Sequence, residues 1–148
     1  MHRETPAQTV LYTLEKAIKG YRRLCQQNID QVMDNLTVDQ GLALMVLSKH
    51  PALSQQELAE LVFKDKASIT RIIELLVQKS LLARAERSTD RRKSVLRLTD
   101  RGRQTLVQLS ATIQLNQQTA LQGLSEDELT QFDVTLRKII ANCTSPRP

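Results

Sequence analysis

Residues 54–103 read SQQELAELVFKDKASITRIIELLVQKSLLARAERSTDRRKSVLRLTDRGR, and the order of patterns in this stretch decides the fold. Ser54-Gln-Gln-Glu57 sets a capping hydroxyl three residues before a glutamate, and Leu58, Leu61 and Val62 then supply one apolar face over about two turns. Phe63-Lys64-Asp65 interrupts the pattern, and Asp65 can cap a second helix whose Ile69, Ile72, Ile73 and Leu76 recur at helical spacing to about Lys79. Two helices parted by about three residues form a helix-turn-helix pair. Beyond Leu81 the period changes. Leu82 and Arg84 alternate into Glu86, Leu96 and Leu98 alternate with Val95 and Arg97, and the polar run Ser88–Lys93 between them predicts a two-stranded hairpin with a charged tip.

Working outward, Val10, Leu14, Ala17, Ile18, Tyr21, Leu24 and Cys25 predict an amphipathic helix from Pro6 to about Gln27. Thr37-Val-Asp-Gln40 opens a second helix from about Val38 to His50, before Pro51. After the hairpin, Thr99 or Asp100 can cap a helix carrying Leu106, Leu109, Ile113 and Ala120. Ser125-Glu-Asp-Glu128 opens a last one with Leu129, Phe132, Leu136, Ile139 and Ile140, and Thr144–Pro148 reads as a frayed tail. The predicted fold class is mainly α with a small β-hairpin wing: a winged helix-turn-helix over 37–100, flanked by dimerisation helices over 1–36 and 101–148. The outer helices have apolar stripes without a core of their own to cover them, so a second copy is expected.

The chain has 148 residues and a net charge of +5, and that charge is concentrated. Arg84–Arg103 holds eight basic groups against three acidic ones, which leaves thirteen of each sign in the other 128 residues. Seven of the eight cations are arginines, whose planar guanidinium suits phosphates and narrow grooves. Two histidines, two distant cysteines (Cys25 and Cys143) and four glycines leave no acid–base pair, zinc set or phosphate-cradling loop. A non-enzyme with no metal and no cofactor is expected. The longest apolar run, Leu42–Leu47, falls far short of the ~20 residues of a membrane helix, and the opening residues lack the apolar segment of a secretory signal. A cytoplasmic location is the expectation.

Leu58-Ala-Glu-Leu61, Asp65-Lys-Ala-Ser-Ile-Thr-Arg-Ile72, Leu81-Leu82, Ser88-x-Asp90-Arg-Arg92 and Leu98-Thr-Asp-Arg-Gly102 together resemble the MarR family of bacterial transcriptional regulators. The likeness spans roughly residues 36–110, and its most specific part is the Asp90-x-Arg92 pattern followed by Leu-Thr-x-x-Gly. Two positions depart from the family pattern: Ser80 stands where glycine usually ends the recognition helix, and Gly41 where a larger residue is usual. The resemblance implies a homodimer on pseudo-palindromic double-stranded DNA operators, commonly relieved by a small aromatic or phenolic effector, and a repressor by preference.

In a helix-turn-helix the N-terminal part of the second helix enters the major groove, so Lys66, Ala67, Ser68, Thr70 and Arg71 are the candidate readers there. Ser54 and Gln55 at the head of the preceding helix join them. Arg84, Arg87, Lys93 and Arg97 are expected on phosphates, and Arg91 or Arg92 in the adjacent minor groove. Asp90 cannot favour a phosphate, and the family likeness gives it the shaping of the wing through an arginine. Tyr12, Tyr21 and Met45 are candidate effector-pocket residues. Two alternative functions stand beside this one: a winged-helix module for protein–protein contact, and a regulator of the same fold that senses oxidants through Cys25.

Overall fold

The computed structural model describes residues 9–87 and 90–144, and of residues 86, 87 and 90–94 the backbone alone. The order is α1 (Val10–Val32), α2 (Val38–Lys49), α3 (Gln55–Leu61), α4 (Lys66–Gln78), β1 (Leu82–Arg87), β2 (Asp90–Leu98), α5 (Asp100–Ala120) and α6 (Glu126–Thr144). It is the mainly helical winged arrangement the sequence predicts. The chain divides into two compact units, residues 1–116 and 117–148.

Within the first unit, the core is built where apolar faces of α2, α3, α4 and the hairpin converge. Leu44, Leu47, Leu58, Ile69, Ile73, Leu76, Leu82 and Leu96 are almost fully removed from solvent, joined by Leu109 of α5. Burying each such side chain stabilises the fold by about 1.5–3 kcal/mol before entropy is counted. The helix starts are made by side chains, as their spacing implies. Thr37 Oγ1 accepts from Gln40 N at 3.1 Å while Gln40 Oε1 accepts from Thr37 N at 3.3 Å, a reciprocal box. In the second unit Ser125 and Glu128 form the same box at 3.1 and 3.2 Å.

Several boundaries differ from the sequence reading. Helix α1 runs on to Val32, five residues beyond Gln27, because Ile29 continues the buried line begun by Cys25 while the polar residues around it mask the period. Its start at Thr9 accepts a hydrogen bond from Tyr12 N; Pro6 lies outside the described residues. Leu58 and Val62 are buried as expected, but Leu61 is exposed rather than packed and Ala59 joins the buried face instead. The charged run is not one long loop. Strand β2 already begins at Asp90, its Arg87↔Asp90 pairing following a register shift after Glu86. Arginine and lysine are tolerated on a solvent-facing hairpin, so composition alone cannot separate it from a loop. Val95 is buried together with Leu96, so the base of the hairpin does not alternate as expected. On α5, Ala120 is exposed.

Candidate nucleic-acid interface

The helix-turn-helix is fixed at both ends of its turn. Helix α3 ends with Phe63 at φ +60°, Lys64 N donating to Ala59 O at 2.9 Å and Phe63 N to Glu60 O at 3.4 Å. This is the paired closure in which glycine usually takes the left-handed position. Asp65 then starts α4 by accepting from Ser68 N at 2.7 Å, and that backbone hydrogen bond, with a further one from the Ser68 hydroxyl, pulls the Asp65 carboxyl below its ordinary value. The turn is also held from behind. Lys64 Nζ lies 3.0 Å from Asp39 Oδ2 on α2, and Arg22 of α1 pairs with the same carboxylate. Burial alone would raise the Asp39 pKa, but the hydrogen bonds and charges of Lys64 and Arg22 outweigh it and lower the value.

This framework leaves the N-terminal half of α4 facing outward. Lys66, Ala67 and Arg71 are exposed, and Ser68 and Thr70 are half-buried beside them, while Ile69 is buried and Ile72 half-buried on the other side. The Thr70 hydroxyl donates to Lys66 O at 2.8 Å and accepts from Gln55 Nε2 at 2.7 Å; Gln55 Oε1 in turn accepts from Arg84 at 3.4 Å. Gln55, Thr70 and Arg84, from three elements, therefore form one chain across α3, α4 and β1. Ser54 is committed locally, its hydroxyl accepting from Glu57 N at 3.1 Å as the cap of α3. Among the described residues the side chains of Lys66, Arg71 and Arg97 have no protein partner, so their charges stay available to a ligand.

The wing is anchored on the same body. Leu96 N donates to Leu53 O at 2.7 Å, adding a bridge just ahead of α3 to the two-stranded sheet. At its far base Thr99 Oγ1 donates to Ser80 O at 2.6 Å and accepts from Gly102 N at 3.0 Å, and Thr99 N donates to Leu81 O at 3.2 Å. A Cβ at Gly102 would sit 2.3 Å from Leu81 O, so the Leu98-Thr-Asp-Arg-Gly102 motif is a latch that needs glycine for close backbone approach. Ser80 lies at φ +62° with Ser80 N donating to Val77 O and Leu81 N to Leu76 O, both at 2.9 Å; serine occupies the usual glycine site at the end of α4. The side chains of Arg87, Asp90, Arg91, Arg92 and Lys93 lie outside the described residues.

Of the expected effector residues, Tyr12 lines a groove of about 400 Å³ on α1 with Lys16 and Arg23, whereas Tyr21 and Met45, both half-buried, line neither that groove nor a second cavity of about 440 Å³ at the end of α4. Burial, then a hydrogen bond with Cys25, pushes the Tyr21 phenol up. Cys25 is a free, buried thiol and Cys143 a free, exposed one. Sequence reasoning missed two features, the Asp39 ion cluster and the exposed Phe63. The second carried no signal, since an aromatic residue suggests burial rather than a left-handed turn.

Comparison with known proteins agrees with this geometry. The sequence model of the MarR family matches residues 34–93. A Thauera aromatica protein named for transcriptional regulation of the hcr operon is 33% identical over 85 residues, 57% of this chain but 51% of that protein, so the chain matches about half of its length. The transcriptional regulator BilQ of Clostridium symbiosum is 29% identical over 96 residues, 65% of this chain and 67% of BilQ. Among solved structures, Bordetella bronchiseptica BpsR, whose DNA binding is regulated by 6-hydroxynicotinic acid, superposes with a TM-score of 0.82 at 26% identity, covering 93% of this chain and 97% of that one. The chain thus matches the MarR family model over residues 34–93, and its fold is the winged helix of the solved regulator BpsR.

Proposed function

We propose that this protein is a homodimeric transcriptional repressor that grips a pseudo-palindromic operator and is released by a small-molecule effector. The observation that carries the reading is the outward face of α4, on which Lys66, Ala67 and Arg71 are exposed while Thr70 is tied through Gln55 to Arg84 at the root of the wing. Residues 37–100 address DNA. Arg71 pairs with a guanine edge, Ser68 with a base edge or phosphate, and Ala67 with a thymine methyl. Arg84, Arg87, Lys93 and Arg97 neutralise phosphates, Arg91 or Arg92 enters the minor groove, and Asp90 shapes the wing. The flanking segments 1–36 and 101–148 dimerise. In support, Val10, Leu11 and Ile18 of α1 and Phe132 and Ile140 of α6 are exposed, and no residue of α6 is buried within the chain.

Twofold association sets the two α4 helices on half-sites about one helical turn apart, roughly 10 bp. An effector that binds one arrangement of the two lobes better than the other lowers DNA affinity by that difference alone, with no chemical step. Selection of bound duplexes from a random pool tests the reading and should return a symmetric motif. With about four phosphates neutralised per subunit, the log–log salt slope should lie near −7, at about −0.9 per contact. Equal binding of all duplexes, or unchanged affinity after Arg91→Ala with Arg92→Ala, would favour the protein-contact alternative.

A further inference from the structure

Helix α4 is gripped at both ends by a single turn of another helix. Asp39, in the first turn of α2, holds the turn before α4 with its Oδ2 3.0 Å from Lys64 Nζ, and the next residue, Gln40, accepts at 2.9 Å from Nζ of Lys79, the C-cap of α4. Helix α1 holds the same turn. Arg22 pairs with Asp39 Oδ1, and Gln26, one helical turn on, clasps the backbone just ahead: Gln26 Nε2 donates to Leu36 O and Val38 N donates to Gln26 Oε1, both at 2.9 Å. Among the described residues, the side-chain hydrogen bonds and ion pairs that α1 sends toward residues 34–98 all end on residues 36–39. Ile29 of α1 also joins the core, but apolar contact is non-directional, whereas a shared carboxylate and a bridging amide fix direction. Part-exposed ion pairs add little to stability, and an acid in a first helical turn is favourable without any cation beside it. What three elements gain by meeting at one carboxylate is an angle.

We infer that the first turn of α2 sets the angle of α4 on α1, with Asp39 as its positioning residue, and thereby fixes the half-site spacing that the dimer accepts. In the dimeric regulator reading on which this rests, α1 belongs to the twofold contact and α4 to the major groove. Each base pair added between half-sites moves the second one about 3.4 Å along the duplex and about 35° around it. Two readers held at fixed angles cannot follow. A dimer that meets only one half-site forfeits the second binding event, worth about 10²-fold or more in affinity. Without the Asp39 ties Ile29 still joins α1 to the core, but α4 can swing, and the penalty for wrong spacing falls. Asp39 acts here through Arg22 and Lys64 rather than by contact with a base.

The test is mobility shift of the full chain on the selected operator, on the same duplex with one or two base pairs inserted between the half-sites, and on a duplex holding one half-site. Wild type should lose about 10²-fold on the inserted duplexes. In Arg22→Gln, which leaves Asp39 on Lys64, and in Asp39→Asn the loss should shrink to about tenfold or less, while affinity for the single half-site stays within about twofold of wild type. Asp39→Glu should restore the wild-type penalty. In parallel, a spin label at Glu74→Cys, exposed on α4, in a Cys143→Ser background should report one narrow distance between subunits, broadened by Arg22→Gln. An unchanged spacing penalty with an unchanged distance distribution in Arg22→Gln overturns the inference. So does a half-site affinity that falls in step with that for the operator, which would make the ties a matter of folding alone. Arg22→Gln decides where Asp39→Asn fails to fold. Absence of any distance between subunits refutes the dimer and the inference with it, whereas a narrow distance that survives Arg22→Gln refutes the inference and leaves the dimer standing. If wild type prefers no duplex, the regulator reading fails while the label distance still decides whether Asp39 sets the angle.

Discussion

Replacing each of two helical glycines by alanine should move stability in opposite directions, because the space around them differs. At Gly102 a Cβ would lie 2.3 Å from Leu81 O, 3.2 Å from Leu81 C and 3.3 Å from Leu98 Cδ2. Relief needs a displacement of about 0.7 Å or more to reach the 3.0 Å below which real Cβ contacts essentially never occur. The obstructing atoms are backbone, and the Leu81 carbonyl is held by Thr99 N while Thr99 itself is held by Ser80 and Gly102. Overpacking of this kind costs about 1–3 kcal/mol, against a helix-propensity gain that stays below ~1 kcal/mol in a first turn. At about 2–4 °C per kcal/mol, Gly102→Ala should melt roughly 2–12 °C below wild type. Gly41 lies inside α2 with nothing within 4 Å of a Cβ, so Gly41→Ala should gain about 1 kcal/mol and melt roughly 2–4 °C higher. Thermal unfolding by circular dichroism, repeated in urea, reads both. A Gly102→Ala protein as stable as wild type would refute the latch, and a Gly41→Ala loss of similar size would refute the open space around Gly41.

Ser80→Gly should stabilise by about 0.5–1 kcal/mol, since relief of the left-handed strain exceeds the added freedom of the unfolded chain; a urea midpoint that falls instead would contradict the φ of +62°. Asp39→Asn should remove a pH-dependent contribution. The lowered folded pKa makes the carboxylate stabilising above its ordinary value of 3.8, and that contribution is lost as pH falls through the folded value, so the wild-type advantage should shrink in acid and be flat near neutrality. Arg71→Ala should cost about 1–3 kcal/mol on the selected operator and relax preference at one base position, whereas Arg84→Gln should weaken all duplexes alike and reduce the salt slope by about 1. Cys25 should resist a thiol reagent until the protein unfolds; rapid modification accompanied by loss of DNA binding would favour the oxidant-sensing alternative.

What the sequence made legible is what local chemistry decides. Thr37 with Gln40, Ser54, Asp65 and Ser125 with Glu128 mark helix starts because a cap is satisfied within four residues, and each is found at the start of its helix. Helical spacing likewise marks Ile69, Ile73 and Leu76 as core. The misses belong to contacts between segments far apart in the chain. Asp39 reads as an ordinary first-turn acid until the fold brings Arg22 and Lys64 to it, and Gln55 reads as a candidate DNA contact whose link between Thr70 and Arg84 only the fold reveals. Glycine and its substitutes fall between. The family resemblance flags Ser80, but the closing hydrogen bonds explain why a left-handed residue must stand there, and the same geometry at Phe63 passes unnoticed because an aromatic residue suggests burial. Phe63 is 87% exposed. An apolar ring kept in solvent on a strained backbone, one residue from the lysine that ties the turn to α2, stabilises nothing among the described residues. Phe63→Gly should therefore raise stability, and any loss it causes in duplex affinity would have to come from contacts the ring makes outside its own subunit.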